Sequence, residues 1–243
     1  RPFFLSCGWF DTHRAFPAPY PADDPRYVAP APTLPDTPET RYDMASFRSS
    51  SRALDAKMAQ VLSVIDRAGL RDNTVVIVTT DHGIAFPRMK CHLTDGGIGV
   101  MLMMRGPGGF DGGKVIDSLV SHVDVFPTLC DLLGIDRPDW LEGRSFLPVV
   151  RGEPGVARDA VFAEVNYHAC YEPQRCVRTD RYKYIRRFDE HTAPAVTNTD
   201  GGPSKQLWTR AGWTERTPQA EALYDLYFDP HEQRNLIGHP AAG

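Results

Sequence analysis

An uninterrupted apolar and β-branched run at residues 74–80 constrains the fold of this chain more than any other feature. The run reads Thr-Val-Val-Ile-Val-Thr-Thr. Such residues favour strands, and a strand that is apolar on both faces is buried, as is typical of parallel sheets. Before it, apolar residues recur at helical spacing from Leu54 to Ile65, and Gly69 marks the end of that helix. A helix followed by a buried strand predicts an α/β fold with a mixed, largely parallel sheet flanked by helices.

Further elements are predicted on both sides of this unit. Residues 3–9 and 99–104 are apolar runs typical of buried strands, and residues 123–133 have the pattern of a helix. Eight prolines between Pro17 and Pro38 exclude a regular helix or a central strand there. We expect an ordered surface excursion anchored by its aromatic residues, with a disordered linker as the alternative.

The pattern changes after residue 151, where short strands are separated by turns. The predicted strands cover residues 160–165, 175–178, 182–188 and 222–227, and a polar loop is predicted over 192–205. This pattern predicts a small antiparallel sheet. We therefore expect two parts: residues 1–150 as part of the α/β core, and residues 151–243 as a small antiparallel C-terminal subdomain.

Charge and composition narrow the classes of partner. The chain of 243 residues has 27 Lys and Arg against 31 Asp and Glu, a formal charge of −4, which argues against a nucleic-acid binder. No apolar run reaches the roughly eighteen residues of a membrane span. Five cysteines in this length do not indicate a disulfide scaffold.

The first residues lack Met and the features of a signal peptide, so we expect the N-terminus to be a cut. Neither the compartment nor the oligomeric state can be read from the sequence.

The tripeptide Asp81-His82-Gly83 is the sharpest candidate for chemistry. It directly follows the buried strand, and ligands of open α/β sheets bind outside the carboxyl ends of strands. A carboxylate and a neutral imidazole are both ligands of divalent metals, and glycine allows the backbone to turn sharply. The alternative is that Asp81 caps a turn and His82 is a surface residue.

Four other residues are candidates for contact with a substrate. His13 follows the first predicted strand and would open onto the same sheet edge as Asp81 if the two strands are parallel neighbours; it could donate a proton or contact an anion. Lys90 lies on the loop after the tripeptide and could hold an oxyanion, with Arg88 as a competitor for that role. His168 follows strand 160–165 and could reach a substrate. For each of them, a solvated or structural role is the alternative.

Several segments in register resemble the sulfatases, formylglycine-dependent hydrolases of the alkaline-phosphatase superfamily. The similar segments are residues 2–5 with 11–14, 69–83, 121–134, 141–145 and 223–236. They run in the family's order over nearly the whole chain. The segment 83–87 and the C-terminal segment are most similar to the heparan N-sulfatase (N-sulfoglucosamine sulfohydrolase) subfamily.

The resemblance implies an alkaline-phosphatase-like fold and the hydrolysis of sulfate esters or sulfamates on a sulfated sugar. It also implies a formylglycine nucleophile and one divalent metal, usually calcium. Carried across, Asp81 and His82 would be metal ligands, while His13 and Lys90 would contact the sulfate and assist the leaving group. Members of the family are often secreted, periplasmic or lysosomal.

Two departures from the family pattern matter. No Cys or Ser of this chain has Pro two positions and Arg four positions later, as the family's nucleophile motif requires. We therefore expect the nucleophile upstream of residue 1, and this C-terminal portion alone to be inactive. In addition, His82 stands where many calcium sulfatases have Asn, which makes Mn²⁺ or Zn²⁺ possible alternatives to Ca²⁺. Two other functions stay open: a phosphonate or phosphodiester hydrolase on the same scaffold, and a non-catalytic binding pseudoenzyme.

Overall fold

One long helix and two antiparallel sheets organise the computed structural model, which describes residues 1–239. The α-helices in this range are α1 (Pro38–Arg67), α2 (Asp95–Ile98), α3 (Val125–Leu133), α4 (Leu147–Val150) and α5 (Pro203–Arg210). The strands are β1 (Val76–Thr79), β2 (Leu102–Arg105), β3 (Val161–Tyr167), β4 (Tyr171–Arg178), β5 (Tyr182–Arg187) and β6 (Glu221–Asp225). In this part of the chain, no helix is both long enough and apolar enough to cross a membrane.

Helix α1 confirms the predicted helix but begins much earlier, at Pro38. Thr37 caps it: the Thr37 Oγ1 accepts from the backbone of Thr40, and the Thr40 hydroxyl accepts from the backbone of Thr37. The first half of the helix buries small polar residues, such as Ser46 and Ser49, rather than a stripe of large apolar ones. Apolar periodicity therefore detects only the second half.

The proline-rich stretch is an ordered surface excursion, as predicted. It contains two short 3-10 turns, Pro21–Asp23 and Pro25–Tyr27, and packs along the first half of α1. The buried carboxylate of Asp23 accepts from Ser49 at 2.9 Å and pairs with Arg52 at 2.9 Å. These contacts explain the small polar face of α1, because the excursion supplies polar partners for it.

Strands β1 and β2 form a two-stranded antiparallel sheet with Val76 opposite Arg105 and Thr79 opposite Leu102. The two predicted strands at 74–80 and 99–104 are confirmed, but their expected parallel direction is wrong for this pair. Apolarity on both faces reports burial and carries no information on strand direction. Residues 3–9 do not form a strand, and the Phe4 side chain is 89% exposed. The apolar run there lacks a pairing partner among the described residues.

Strands β3 to β6 form a four-stranded antiparallel meander, which confirms the predicted C-terminal sheet. One face of β5 and β6 is buried through alternating residues, including Ile185, Ala222 and Tyr224. The predicted loop over 192–205 is partly wrong, because α5 begins within it at Pro203. A helix of eight residues spans only about two turns and shows little apolar periodicity, so the polar composition of the segment favoured a loop in the prediction.

Asp124 joins the region around α3 to the C-terminal sheet region. Its carboxylate is fully buried and accepts backbone N–H groups from Ser121 at 2.8 Å and Arg144 at 2.7 Å. The guanidinium of Arg158 pairs with it at 2.5 Å. The division of the chain at residue 150 stays a prediction, and this ion pair crosses it.

Replacing the Asp124 carboxylate should destabilise the natural full-length protein strongly. Asp124→Ala leaves Arg158 and two backbone N–H groups without their acceptor, and breaking a buried pair costs about 3–5 kcal/mol of unfolding free energy. Burial acts to raise the pKa of Asp124, but Arg158 and the two N–H groups outweigh it and hold that pKa below its usual value. The effect should therefore be full at neutral pH and shrink as the pH falls below about 4.

Urea unfolding at pH 7 and at pH 3 measures this effect, with Asp111→Ala as the control. The Asp111 side chain is 83% exposed and lies 3.9 Å from Lys114, so its removal should change stability by less than about 1 kcal/mol. Equal effects of the two substitutions would contradict the role given to Asp124.

Candidate active site

A cavity of about 750 Å³ opens where the N-terminal segment, α1 and the carboxyl end of β1 meet. Four of the sequence-predicted residues line it: His13, Asp81, His82 and Arg88. Apolar side chains of α1 and β2, such as Met58 and Met103, form another part of its wall. The cavity is thus an apolar cleft with polar groups at one edge, the usual form of a small-molecule site.

Asp81 and His82 lie at the bend that follows β1. The Nδ1 atom of His82 is 2.6 Å from the carbonyl oxygen of Gly83. Because a carbonyl oxygen only accepts, Nδ1 carries the proton and Nε2 is the nitrogen with a lone pair. This Nε2 lies 3.6 Å from Oδ2 of Asp81, whose side chain is 88% exposed. An imidazole nitrogen and a carboxylate oxygen are therefore presented side by side.

Gly83 allows this bend because the chain passes very close to another glycine pair. Its N–H donates to the carbonyl of Gly97 at 2.8 Å. A Cβ atom on Gly83 would lie 1.9 Å from the carbonyl oxygen of Gly96, far inside van der Waals contact. No other residue type fits this position without moving the backbone that carries Asp81 and His82.

Lys90 lies just outside the cavity lining, behind His13, and its side chain is only 6% exposed. Its Nζ lies 2.8 Å from Oδ2 of Asp200 and 3.4 Å from Nε2 of His13. The Nδ1 atom of His13 lies 2.6 Å from the carbonyl oxygen of Arg14, so Nδ1 carries the proton and Nε2 can accept from Lys90. Sequence reasoning predicted His13 and Lys90, and the structure brings them together.

Asp200 is a member of this cluster that sequence reasoning missed. Burial acts to raise the pKa of Asp200, but the hydrogen bond and charge of Lys90 outweigh it and hold that pKa below its usual value. His13 and His168 act in the same direction. The segment Thr-Asn-Thr-Asp-Gly-Gly-Pro around it has the composition of a turn, and no sequence pattern joins it to Lys90.

Left-handed backbone conformations flank the two predicted sulfate contacts. Thr12 precedes His13 with φ of 69°, while Arg88 at 63° and Cys91 at 65° bracket Lys90. Such φ values are uncommon for residues other than glycine, and for a β-branched residue they cost about 1–3 kcal/mol. Strain of this kind persists where the surrounding structure fixes it, and it clusters at functional sites.

The loop that carries Lys90 is tied to the C-terminal segment through Glu232. Arg88 donates to the carbonyl oxygen of Glu232 at 2.6 Å, and the N–H of Asp95 donates to its carboxylate. The fully buried Lys183 pairs with both Glu232 and Asp95. These contacts hold Arg88 at the cavity wall with part of its guanidinium already engaged.

His168 lies in the turn between β3 and β4 and is exposed. It does not line the cavity. Its influence on the pKa of Asp200 places it near the Lys90 cluster.

Cys91, next to Lys90, is unsuited to act as a nucleophile. Burial is the largest influence on this thiol and raises its pKa to about 11, with Lys90 acting in the opposite direction. A nucleophilic cysteine needs the thiolate, which is scarce at neutral pH for such a thiol.

A divalent metal fits the donor set of Asp81 and His82 in part. The His82 Nδ1–H bond to a backbone carbonyl is the arrangement that orients a metal-binding imidazole and leaves Nε2 as the ligand. Within residues 1–239, however, no group of three or more His, Cys, Asp or Glu side chains is placed to hold an ion. Asp81 and His82 are thus suited to supply two ligands of a metal ion, and a complete coordination sphere would require others.

Two family models match the sequence. The model described as "Sulfatase" matches residues 1–135, and the model described as "N-sulphoglucosamine sulphohydrolase, C-terminal" matches residues 88–206. Together they cover the N-terminal segment, both sides of the cavity and most of the C-terminal sheet.

Two curated relatives and one solved structure illustrate the similarity. An ulvan-active sulfatase of Formosa agariphila is 30% identical over 201 residues, covering 81% of this chain and 39% of that protein. Human N-sulphoglucosamine sulphohydrolase is 27% identical over 297 residues, covering 99% of this chain and 57% of that protein. A putative sulfatase from Bacteroides thetaiotaomicron superposes with a TM-score of 0.62 at 27% identity, over 83% of this chain and 39% of that one. The chain thus spans less than two thirds of these relatives' length, and its fold is that of the α/β sulfatases.

A methyl group at Gly83 should disturb the bend that carries Asp81 and His82. Gly83→Ala places a Cβ against the Gly96 carbonyl, and relieving such overpacking costs about 1–3 kcal/mol of unfolding free energy. Urea unfolding of the natural full-length protein measures this cost. Gly8→Ala is the control, because a Cβ there meets no atom within 4 Å and should be nearly neutral. A neutral Gly83→Ala would show that the close approach to Gly96 does not exist.

Proposed function

Because this chain belongs to the sulfatase family, whose model matches residues 1–135, we propose that it contributes the sulfate-binding side of a sulfuric-ester hydrolase. The substrate is a sulfate ester or a sulfamate on a sugar. One observation carries the proposal: the buried ammonium of Lys90 touches His13 Nε2 beside the cavity onto which Asp81 and His82 open. A fixed cation, an imidazole and a metal-ligand pair at one cleft suit the transfer of a tetrahedral anionic group.

Lys90 binds the sulfate in this proposal, and His13 orients the Lys90 ammonium. The Lys90 ammonium has three N–H donors, and Asp200 and His13 engage two of them among the described residues. The third donor serves a sulfate oxygen. When the bond between sulfur and the sugar oxygen or nitrogen breaks, the leaving group takes a proton that the Lys90–His13 pair holds at the cavity edge.

Two groups outside the described contacts complete the chemistry. Asp81 and His82 would hold a divalent metal, which would supply Lewis-acid polarisation of the sulfate; Ca²⁺ is the first candidate, and Mn²⁺ or Zn²⁺ are alternatives because of the imidazole ligand. A formylglycine nucleophile supplies the attacking oxygen. Since no Cys or Ser here fits the nucleophile motif, we propose that a residue outside these 243 provides it.

The sugar substrate is supported by the relatives rather than by the cavity. The name of the human relative specifies N-sulphoglucosamine, a sulfated amino sugar, and the C-terminal model of the same description matches residues 88–206 of this chain. That matched range includes Lys90, His168 and Asp200. The cavity of about 750 Å³ is large enough for a sugar unit.

Loss of the Lys90 charge should reduce sulfate transfer in the natural full-length protein. Lys90→Met keeps most of the side-chain length but removes the donor to the sulfate oxygen, and losing one such contact lowers kcat/KM about 10²- to 10³-fold. The control is Lys114→Met, because Lys114 is half exposed, lies on the loop after β2 and bonds to the Gly109 carbonyl rather than to a residue of the cavity lining.

Paired sulfate and phosphate esters of the same sugar or phenol complete the experiment. We expect the sulfate ester to be hydrolysed faster by the wild-type protein. Preferred hydrolysis of the phosphate ester would favour the phosphonate or phosphodiester alternative. A wild-type protein that binds sulfate but hydrolyses neither ester would be a binding pseudoenzyme.

A further inference from the structure

We propose that Asp200 is a positioning residue that holds the Lys90 ammonium charged and aimed at the cavity, a role that rests on the proposed sulfate-binding function. Its Oδ2 accepts from Lys90 Nζ at 2.8 Å. Both side chains are largely withdrawn from water, with exposed fractions of 6% for Lys90 and 22% for Asp200. A buried ammonium without a counterion favours its neutral form, so this partner determines the charge that meets the substrate.

Asn198 fixes the segment before Asp200 on the turn between β3 and β4. Its fully buried side chain accepts the N–H groups of Ala169 and Cys170, both at 2.9 Å, and donates to the Glu172 carboxylate at 2.9 Å. The turn that these bonds hold also carries His168. Asp200 therefore approaches Lys90 from a segment that is braced against the turn carrying His168.

Asp43 of α1 fixes the segment after Asp200. Its carboxylate accepts the N–H of Ser204, at the start of α5, at 3.1 Å and binds both terminal nitrogens of Arg14 at 2.7 and 2.8 Å. A Cβ on Gly202 would lie 2.2 Å from the Arg14 guanidinium, which is itself held by Asp43. The same Arg14 follows His13, so one ion pair places Asp200 and His13 relative to each other.

Asp200 is the counterion of Lys90, because the other groups around the ammonium are uncharged or do not contact it. His13 accepts through Nε2, and Cys91 is a thiol whose pKa is raised to about 11 by burial. His168 and Glu172 are near enough to influence Asp200 and Cys91 respectively, but neither contacts the Lys90 ammonium. Of the described carboxylates, Asp200 is the one within ion-pair distance.

The test uses Asp200→Asn in the natural full-length protein, with Asp180→Asn as a matched control on the exposed turn between β4 and β5. Trace acetylation by acetic anhydride, followed by mass spectrometry, gives the pH dependence of labelling at Lys90, with Lys114 as internal reference. We expect the half-maximal labelling pH of Lys90 to fall by at least about one unit in Asp200→Asn. It should stay unchanged in Asp180→Asn.

Kinetics on a sulfate ester provide the second readout. In Asp200→Asn, the alkaline pH at which kcat/KM falls to half should shift down by about the same amount as the labelling pH of Lys90, because a neutral amine does not hold a sulfate oxygen as a charged ammonium does. A merely structural role would lower kcat/KM at every pH without moving that midpoint. Asp200→Glu keeps the charge and should retain the wild-type labelling pH.

The outcomes separate this proposal from the proposed function. An unchanged labelling pH at Lys90 in Asp200→Asn would overturn the positioning role even if the enzyme is a sulfatase. A shifted labelling pH in a protein that hydrolyses no sulfate ester would support the role and remove the proposed function. If Asp200→Asn does not fold, Asp200→Ser takes its place, and failure of both to fold would assign Asp200 to the fold instead.

Discussion

The burial of the Lys90 ammonium is the constraint on which the candidate site depends. A charge withdrawn from water needs a counterion and hydrogen-bond acceptors, and here they come from distant parts of the chain: Asp200 from the segment before α5 and His13 from the N-terminal segment. Lys90 itself lies on a loop that Glu232 ties to the C-terminal segment. The site is therefore a product of the whole described chain, and its charge pattern exists only in the folded state.

Buried ion pairs also link the core to the C-terminal part of the chain at two other places. Asp43 binds Arg14 and the N-terminus of α5, while Asp124 binds Arg158 across residue 150. Each pair is buried and each carboxylate accepts backbone N–H groups as well, which offsets the cost of removing the charges from water. The C-terminal sheet region thus supplies residues that brace the cavity edge, in addition to packing against the core.

Part of the site was predictable from the sequence because residues able to bind a metal or an anion directly follow apolar segments. The bend after residues 74–80 identified Asp81 and His82, and the segment after the first apolar run identified His13. Asp200 escaped because its partner is 110 residues away and its turn composition has no periodicity. Strand direction and the first half of α1 escaped for related reasons: apolarity reports burial alone, and the buried face of that half consists of small polar residues.

A crystal structure of the natural full-length protein grown with calcium and sulfate tests the central claim most directly. The account predicts a sulfate oxygen within about 3.2 Å of Lys90 Nζ and a metal ion bound by Asp81 and His82. The Lys90–Asp200 pair should persist in that structure. A sulfate bound away from Lys90, or a metal that avoids Asp81 and His82, would contradict the account.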